Sequence, residues 1–172
     1  MVEIYRRIVG LLKRKNHVEY ARWQGVKVGE NCNFVDNPNW GSEPWLIEIG
    51  NHVLLSSAVS FVNHDGATWV FREKEGKYHN LYKFGKIKIG NNCFIGTKSI
   101  IMPNIEIGND CIIAAGSIVT KDIPAHEVWR GVPAKYICSV EDYAEKCLKN
   151  KLPYDDVKIN TDKKREMLRV LE

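Results

Sequence analysis

IGNNCF-IGTKSI-IMPNIE-IGNDCI-IAAGSI-VTKDIP, residues 89–124, decides the fold. Six consecutive blocks of six residues share one pattern. The first position is aliphatic in every block: Ile89, Ile95, Ile101, Ile107, Ile113 and Val119. The fifth is small or aliphatic: Cys93, Ser99, Ile105, Cys111, Ser117 and Ile123. The second is often Gly or Ala. A period of six excludes an amphipathic helix, whose apolar face recurs every three to four residues. It fits short strands with the first and fifth side chains on one side, and with Gly and Asn where the chain turns or takes positive φ. One strand of this length cannot bury its face, whereas stacked copies can, so the pattern predicts an all-β solenoid.

The frame extends backwards through VGENCN from Val28, IGNHVL from Ile49, LSSAVS from Leu55 and FVNHDG from Phe61. It is interrupted twice. Residues 36–45 include NPNWGSEPW, rich in Pro, Gly and Trp. Residues 65–86 form a longer excursion, of a length that in a compact domain points to function. Its aromatics Trp69, Phe71, Tyr78, Tyr82 and Phe84 predict an ordered, packed loop. Cys32, Cys93 and Cys111 occupy fifth positions and are expected in the core, away from the exposed, electropositive setting that a reactive thiol needs.

Outside the repeat the chain reads as helical. Ile4, Ile8, Leu11 and Leu12 recur at helical spacing among Arg6, Arg7, Lys13, Arg14 and Lys15. Such a basic helix either caps the solenoid or touches an anionic membrane surface, and the cap is the expected use. Ser139 and Asp142 read as a helix start, with Pro153 as its limit, and Thr161 and Asp162 open a last helix through Met167 and Leu171. The expected organisation is a helical segment over 1–24, a β domain over 25–137 with residues 65–86 inserted, and a helical extension over 138–172.

The formal charge of +4 is too small to argue for nucleic acid, but it suits an anionic small ligand. No run of about 18 apolar residues predicts a transmembrane helix. Nor do residues 1–15 read as a secretory signal. Five cysteines, without a CxxC pair, read as reduced thiols in a cytoplasmic protein.

These blocks, with NHDG at 63–66 and IAAGSIVTKDIPAHEVWRGVPAK at 113–135, resemble the hexapeptide-repeat acyltransferases, in the maltose, galactoside and polysaccharide O-acetyltransferase branch. The resemblance spans about residues 25–137. It implies a left-handed parallel β-helix of triangular section with three blocks per turn, a hand that block spacing does not reveal. It also implies a homotrimer with active sites between subunits, acetyl-CoA as donor, a sugar or glycan acceptor, and no metal. Three blocks per turn stack Leu55, Ile95 and Ile113 in one column and Phe61, Ile101 and Val119 in another. The corners after these columns, small residues in one case and Asn63–Asp65 in the other, then lie at different edges.

A sugar hydroxyl is a poor nucleophile at neutral pH and needs a base as it attacks a thioester. Histidine, with an ordinary pKa near 6.5, suits that task. His64 opens the long loop at the place where the family carries its catalytic histidine, and Asn63, Asp65 or a backbone carbonyl is expected to hold its ring. The resemblance further assigns Phe94, Thr97 and Ala115 to the pantetheine arm of the donor, and Lys121 and Lys135 to its phosphates. Relatives often have Arg where this chain has Lys135, which binds phosphate as a point charge without a fork. His64-Asp65-Gly66, in place of a His-Pro pair, points to the polysaccharide- and xenobiotic-modifying members.

The expected activity is therefore acetyl transfer to a sugar hydroxyl, in a surface polysaccharide such as a capsule or O-antigen. N-acetylation of an amino-sugar and acetylation of a xenobiotic are the neighbouring chemistries. A zinc hydro-lyase on the same scaffold needs three converging histidines, which the sequence does not provide. A non-catalytic scaffold does not account for the inserted loop or the lysines.

Overall fold

A computed structural model describes residues 16–171. The chain divides into two units, Met1–Val140 and Glu141–Glu172. In the first, thirteen short strands follow one another: β1 (Lys27–Val28), β2 (Asn33–Phe34), β3 (Ile47–Ile49), β4 (Leu54–Leu55), β5 (Ser60–Phe61), β6 (Ile87–Ile89), β7 (Phe94–Ile95), β8 (Ile100–Ile101), β9 (Ile105–Ile107), β10 (Ile112–Ile113), β11 (Ile118–Val119), β12 (Glu127–Arg130) and β13 (Lys135–Ser139). They build three sheets: a first of order β1-β3-β6-β9, a second of order β2-β4-β7-β10-β12-β13, and a third of order β5-β8-β11. The chain visits the sheets in rotation, and each pairing is parallel except β12 with β13.

The register shows that three blocks make one turn. Leu55 pairs with Ile95 and Ile95 with Ile113; Phe61 pairs with Ile101 and Ile101 with Val119. All six first-position residues from Ile89 to Val119, and all six fifth-position residues from Cys93 to Ile123, are buried. The thiols of Cys32, Cys93 and Cys111 each donate to a backbone carbonyl of the next turn at 3.1 Å (Gly50, Gly108 and Pro124). Cys93 and Cys111 belong to the core, and Cys32 is half-buried. The adjacent Cys111 side chain and burial push the Cys93 thiol up, away from reactivity.

Turn-to-turn spacing is tied by third-position side chains. Asn51 Oδ1 accepts from Glu30 N–H, Asn91 Oδ1 from Asn51 N–H and Asn109 Oδ1 from Asn91 N–H, at 2.7–2.8 Å. Positive φ, expected at Gly and Asn alike, falls here on fourth positions: His52, Asn92 and Asp110, at 54–55°.

Helix α1 (His17–Gln24) precedes β1. Asn16 accepts Glu19 N–H at its start, and Gly25 at φ +108° closes it with a bond to Arg22 O. Ala21 is buried, and the Arg22 guanidinium donates to Val28 O and Gly29 O, which fixes the helix to the first turn of chain. The expected basic helix of residues 1–15 lies outside the described residues. At the other end β13 turns back antiparallel on β12, with a bulge between Val128 and Trp129. Cys138 and Ser139, expected in the helical extension, are still paired strand, opposite Val128 and Glu127.

The second unit is helical. Helix α3 (Val140–Lys149), after the loop helix α2 (Trp69–Arg72) of the first unit, is followed by α4 (Lys158–Thr161) and α5 (Lys163–Leu171). Asp162 accepts Arg165 N–H at the start of α5. Within this unit Glu166 is buried, ion-paired to Arg169 and bonded to Asp155 N–H. The Arg169 guanidinium and that N–H hold its carboxyl down to about 2. Among the described residues no helix is long and apolar enough to cross a membrane.

Candidate active site

The corner that leads from the third sheet to the first carries both interruptions of the repeat. Asn39 bridges to Ser60 of β5, and residues 40–46 then turn to β3. One turn later the chain leaves β5 through Asn63, His64 and Asp65 and makes its long excursion. The two ends of that excursion are closed by three pairings. Gly85 N–H donates to Asn63 O at 2.9 Å, Asp65 N–H to Lys83 O at 2.8 Å, and His64 bridges to Phe84. The loop is ordered by its own rings: Phe71 against Tyr78, Tyr82 stacked on Phe84, and Arg72 over both Trp69 and Tyr82. Trp69, Tyr78, Tyr82 and Phe84 nonetheless remain about half exposed, so the packing is mutual and does not reach the core.

His64 Nδ1 lies 2.8 Å from Glu43 Oε2 and 3.0 Å from Ser42 Oγ. An ionised carboxylate is the stronger acceptor, so Nδ1 carries the proton and Nε2 presents its lone pair. The ring is 42% exposed and Glu43 17%, which leaves the imidazole open to an incoming hydroxyl while its partner is shielded. Phe84 packs edge-on to the ring at 6.2 Å.

Glu43 replaces the expected partners. Asn63 is buried, and its Nδ2 donates to Trp40 O at 2.7 Å, bolting the 40–46 turn beneath the histidine. Asp65 accepts Ala67 N–H at 3.0 Å and Lys83 Nζ at 3.2 Å. Those two donors lower its pKa and commit both of its oxygens. Neither side chain is bonded to the ring. Glu43 and Ser42 escaped the sequence reading although they lie in the shorter interruption, which composition had flagged as a loop. Counting turns of chain back from His64 was the available signal.

The residues assigned to the donor fall into two groups, of which only Lys121 lies on the edge of His64, two turns further along. Phe94, 39% exposed, sits on the outer side of the second sheet between Leu54 and Ile112. At the corner that follows this sheet, Gly116 N–H donates to Thr97 O, Lys98 N–H donates to Ser57 O, and Thr97 Oγ1 lies 2.7 Å from Ser56 Oγ. Ala115 is exposed on the same corner, so the surface there is smooth. Lys121 and Lys135 come together elsewhere, in a cleft at the β12–β13 end with Trp129 and Tyr136, Lys121 lying 5.0 Å over the Trp129 ring. Of the other histidines, His52 lies 2.7 Å from Asn92 Oδ1 and His17 lies 3.0 Å from Asn37 Oδ1. Among the described residues no three His, Cys, Asp or Glu side chains converge as a metal site would need.

A family model described as bacterial transferase hexapeptide (six repeats) matches residues 86–121. Protein CapG of Staphylococcus aureus is 51% identical over 156 residues, which is 87% of this chain and 89% of that protein. Galactoside O-acetyltransferase of Escherichia coli is 37% identical over 132 residues, 73% of this chain and 59% of that enzyme. The chain belongs to the hexapeptide-repeat acetyltransferases. A solved maltose O-acetyltransferase from Clostridium difficile has the same fold as this acetyltransferase, with a TM-score of 0.53 at 21% identity over 79% of this chain and 84% of that one. The match to residues 86–121 overlaps most of the six blocks, 89–124, from which the repeat was read. The acetyltransferase's Glu43 and His64 lie outside it.

Proposed function

We propose that the protein transfers acetyl from acetyl-CoA to a sugar hydroxyl of a surface polysaccharide such as a capsule or O-antigen, with His64 as general base. The observation that carries this is the ring of His64, held by Glu43 through Nδ1, with no partner on Nε2 among the described residues. Nε2 accepts the proton of the hydroxyl as its oxygen bonds to the acetyl carbonyl carbon. The carbon–sulfur bond then breaks, and the proton on the imidazolium passes to the departing thiolate. Glu43 opposes the positive charge on the ring at its maximum, and Asn63 keeps the turn beneath it in place. The sugar O-acetyltransferases among the relatives support the acceptor class, and the identity to Protein CapG over nearly the whole chain supports a role in the same kind of process.

The scaffold of the proposal is a left-handed parallel β-helix, consistent with the rotation of the chain through three sheets. Phe94, Thr97 and Ala115 border the acyl-carrying arm of the donor, and Lys121 and Lys135 its phosphates. Phe94, Thr97 and Ala115 lie on the second sheet and the corner after it, on a different edge from His64, so a complete site takes His64 from one subunit and the smooth corner from the next. The working form is a homotrimer. The donor and the free thiols suit the cytoplasm.

His64→Ala tests the base. The exposed ring fills no core space, so the fold and CoA binding persist while turnover falls by about 10²-fold or more. Thiol release is measured across a panel of sugar acceptors beside a CoA titration of the same variant. Near wild-type turnover overturns the assignment of His64, and no acetylated product from any sugar overturns the acceptor class.

A further inference from the structure

We infer that the groove on the outer face of the first sheet, beside Trp45, holds a sugar unit of the acceptor other than the one acetylated, so that the acceptor is an oligosaccharide or a longer glycan. This rests on the sugar-acceptor reading above and narrows it. The groove, about 430 Å³, is bordered by Trp45, Lys86 and Asn104 at the third-to-first corner and floored by Glu48, Lys88 and Glu106. That volume lies within the range of small-molecule pockets.

Its position follows from the chain path. Trp45 is two residues beyond Glu43, the partner of His64. Lys86 is one residue beyond Gly85, whose N–H is bonded to Asn63 O next to His64. The groove therefore opens from the same corner as the reactive ring, at both of the points where the chain enters the first sheet. In a trimer whose sites join this corner to the neighbour's smooth corner, the third sheet, lying between those two edges, faces the axis. The outer face of the first sheet then remains open.

Its chemistry suits a sugar. Trp45 sits on the short turn Pro44–Leu46 with 62% of its surface exposed, which leaves a broad aromatic face open to a ligand. The C–H face of a pyranose stacks on such a ring, while its hydroxyls need donors and acceptors around the rim. The outward positions supply both in alternation, with Lys27, Glu48, Lys88 and Glu106 side by side in register across the sheet. Lys88 is paired to Glu106 at 2.7 Å. Glu48 interacts with Lys88 electrostatically, but neither it nor Lys86 makes a contact-distance hydrogen bond or ion pair among the described residues, so an acceptor and a donor remain available. The balance of charges disfavours an ionic ligand and leaves a neutral, hydroxyl-rich one.

The test uses the full chain carrying His64→Ala, so that nothing is turned over, on an array of neutral, amino-sugar and uronic-acid glycans from one to ten units long. The expected result is binding to at least one series, at two or more units but not at one. Adding Trp45→Ala weakens it by about tenfold, equivalent to about 1.4 kcal/mol, and Trp45→Tyr restores most of the loss. Binding of single sugars as tight as that of longer chains, indifference to Trp45→Ala, or no binding in any series overturns the subsite. Wild-type acetyl transfer to single sugars alongside any of these results leaves the proposed function standing. Trp45-dependent glycan binding without any acetyl transfer leaves the subsite and removes the function.

Discussion

Glu43 fixes which nitrogen of His64 carries the proton, and that choice decides whether the ring can act as a base. A glutamine at 43 presents an amide that can donate to Nδ1 as readily as accept from it. The first arrangement moves the proton to Nε2 and blocks it. Glu43→Gln should therefore lower kcat by roughly 10–10²-fold with little change in affinity for CoA. Asp65→Asn should cost much less, because both Asp65 oxygens serve the loop, one on Ala67 N–H and one on Lys83. Steady-state kinetics of the two variants side by side decide between them; a larger loss in Asp65→Asn returns the orienting role to the residue that adjoins the histidine in sequence. His64 was legible because it sits in the last in-frame block before the long loop and opens that loop. Glu43 was not, because it stands 21 positions earlier inside an interruption, where the count of six lapses and only the folded corner brings the two together.

At the scale of the strand and corner, the second-position glycines were readable but their reason was not. Gly29, Gly50, Gly90 and Gly108 do not adopt positive φ. They lie where successive turns of chain approach most closely. A Cβ on Gly90 would meet Asn109 Oδ1 at 2.6 Å and Gly108 C at 2.7 Å, inside any permissible contact. The left-handed conformation belongs instead to the fourth position, where Asn and Asp accept it at little cost. Gly90→Ala should thus destabilise by about 2 kcal/mol through overpacking against backbone. Gly66→Ala, where a Cβ meets nothing within 4 Å, should be close to neutral. Denaturant midpoints of the two variants check the pair, and equal midpoints would refute the account of close approach. The last helix was readable from its cap signal at Thr161 and Asp162, whereas the Asn16 cap of α1 went unread. Strand β13 was missed because two-stranded antiparallel closure at Lys135–Ser139 carries no six-residue signature.

For the whole molecule, the sequence columns Leu55–Ile95–Ile113 and Phe61–Ile101–Val119 are the observed registers. They separate His64 from Thr97 and Ala115 by the full width of the third sheet. In the proposed site the histidine and the smooth corner therefore come from different subunits, which makes a sharp prediction about mixed assemblies. His64→Ala removes the proposed base. Ala115→Trp places a bulky ring on an exposed corner position and blocks the donor arm without disturbing the core. Each variant alone should be nearly inactive. Unfolded together in equal amounts and refolded, they should form the proposed trimers, in which a site works only if its histidine comes from an Ala115→Trp subunit and its donor corner from a His64→Ala subunit. Random assembly meets that condition at about a quarter of the sites, so about a quarter of wild-type activity should return. The two refolded separately and then mixed, with trimers intact, provide the baseline. If co-refolding restores nothing while light scattering still reports trimers, each site is built within one chain, and the division of labour between the two corners is wrong.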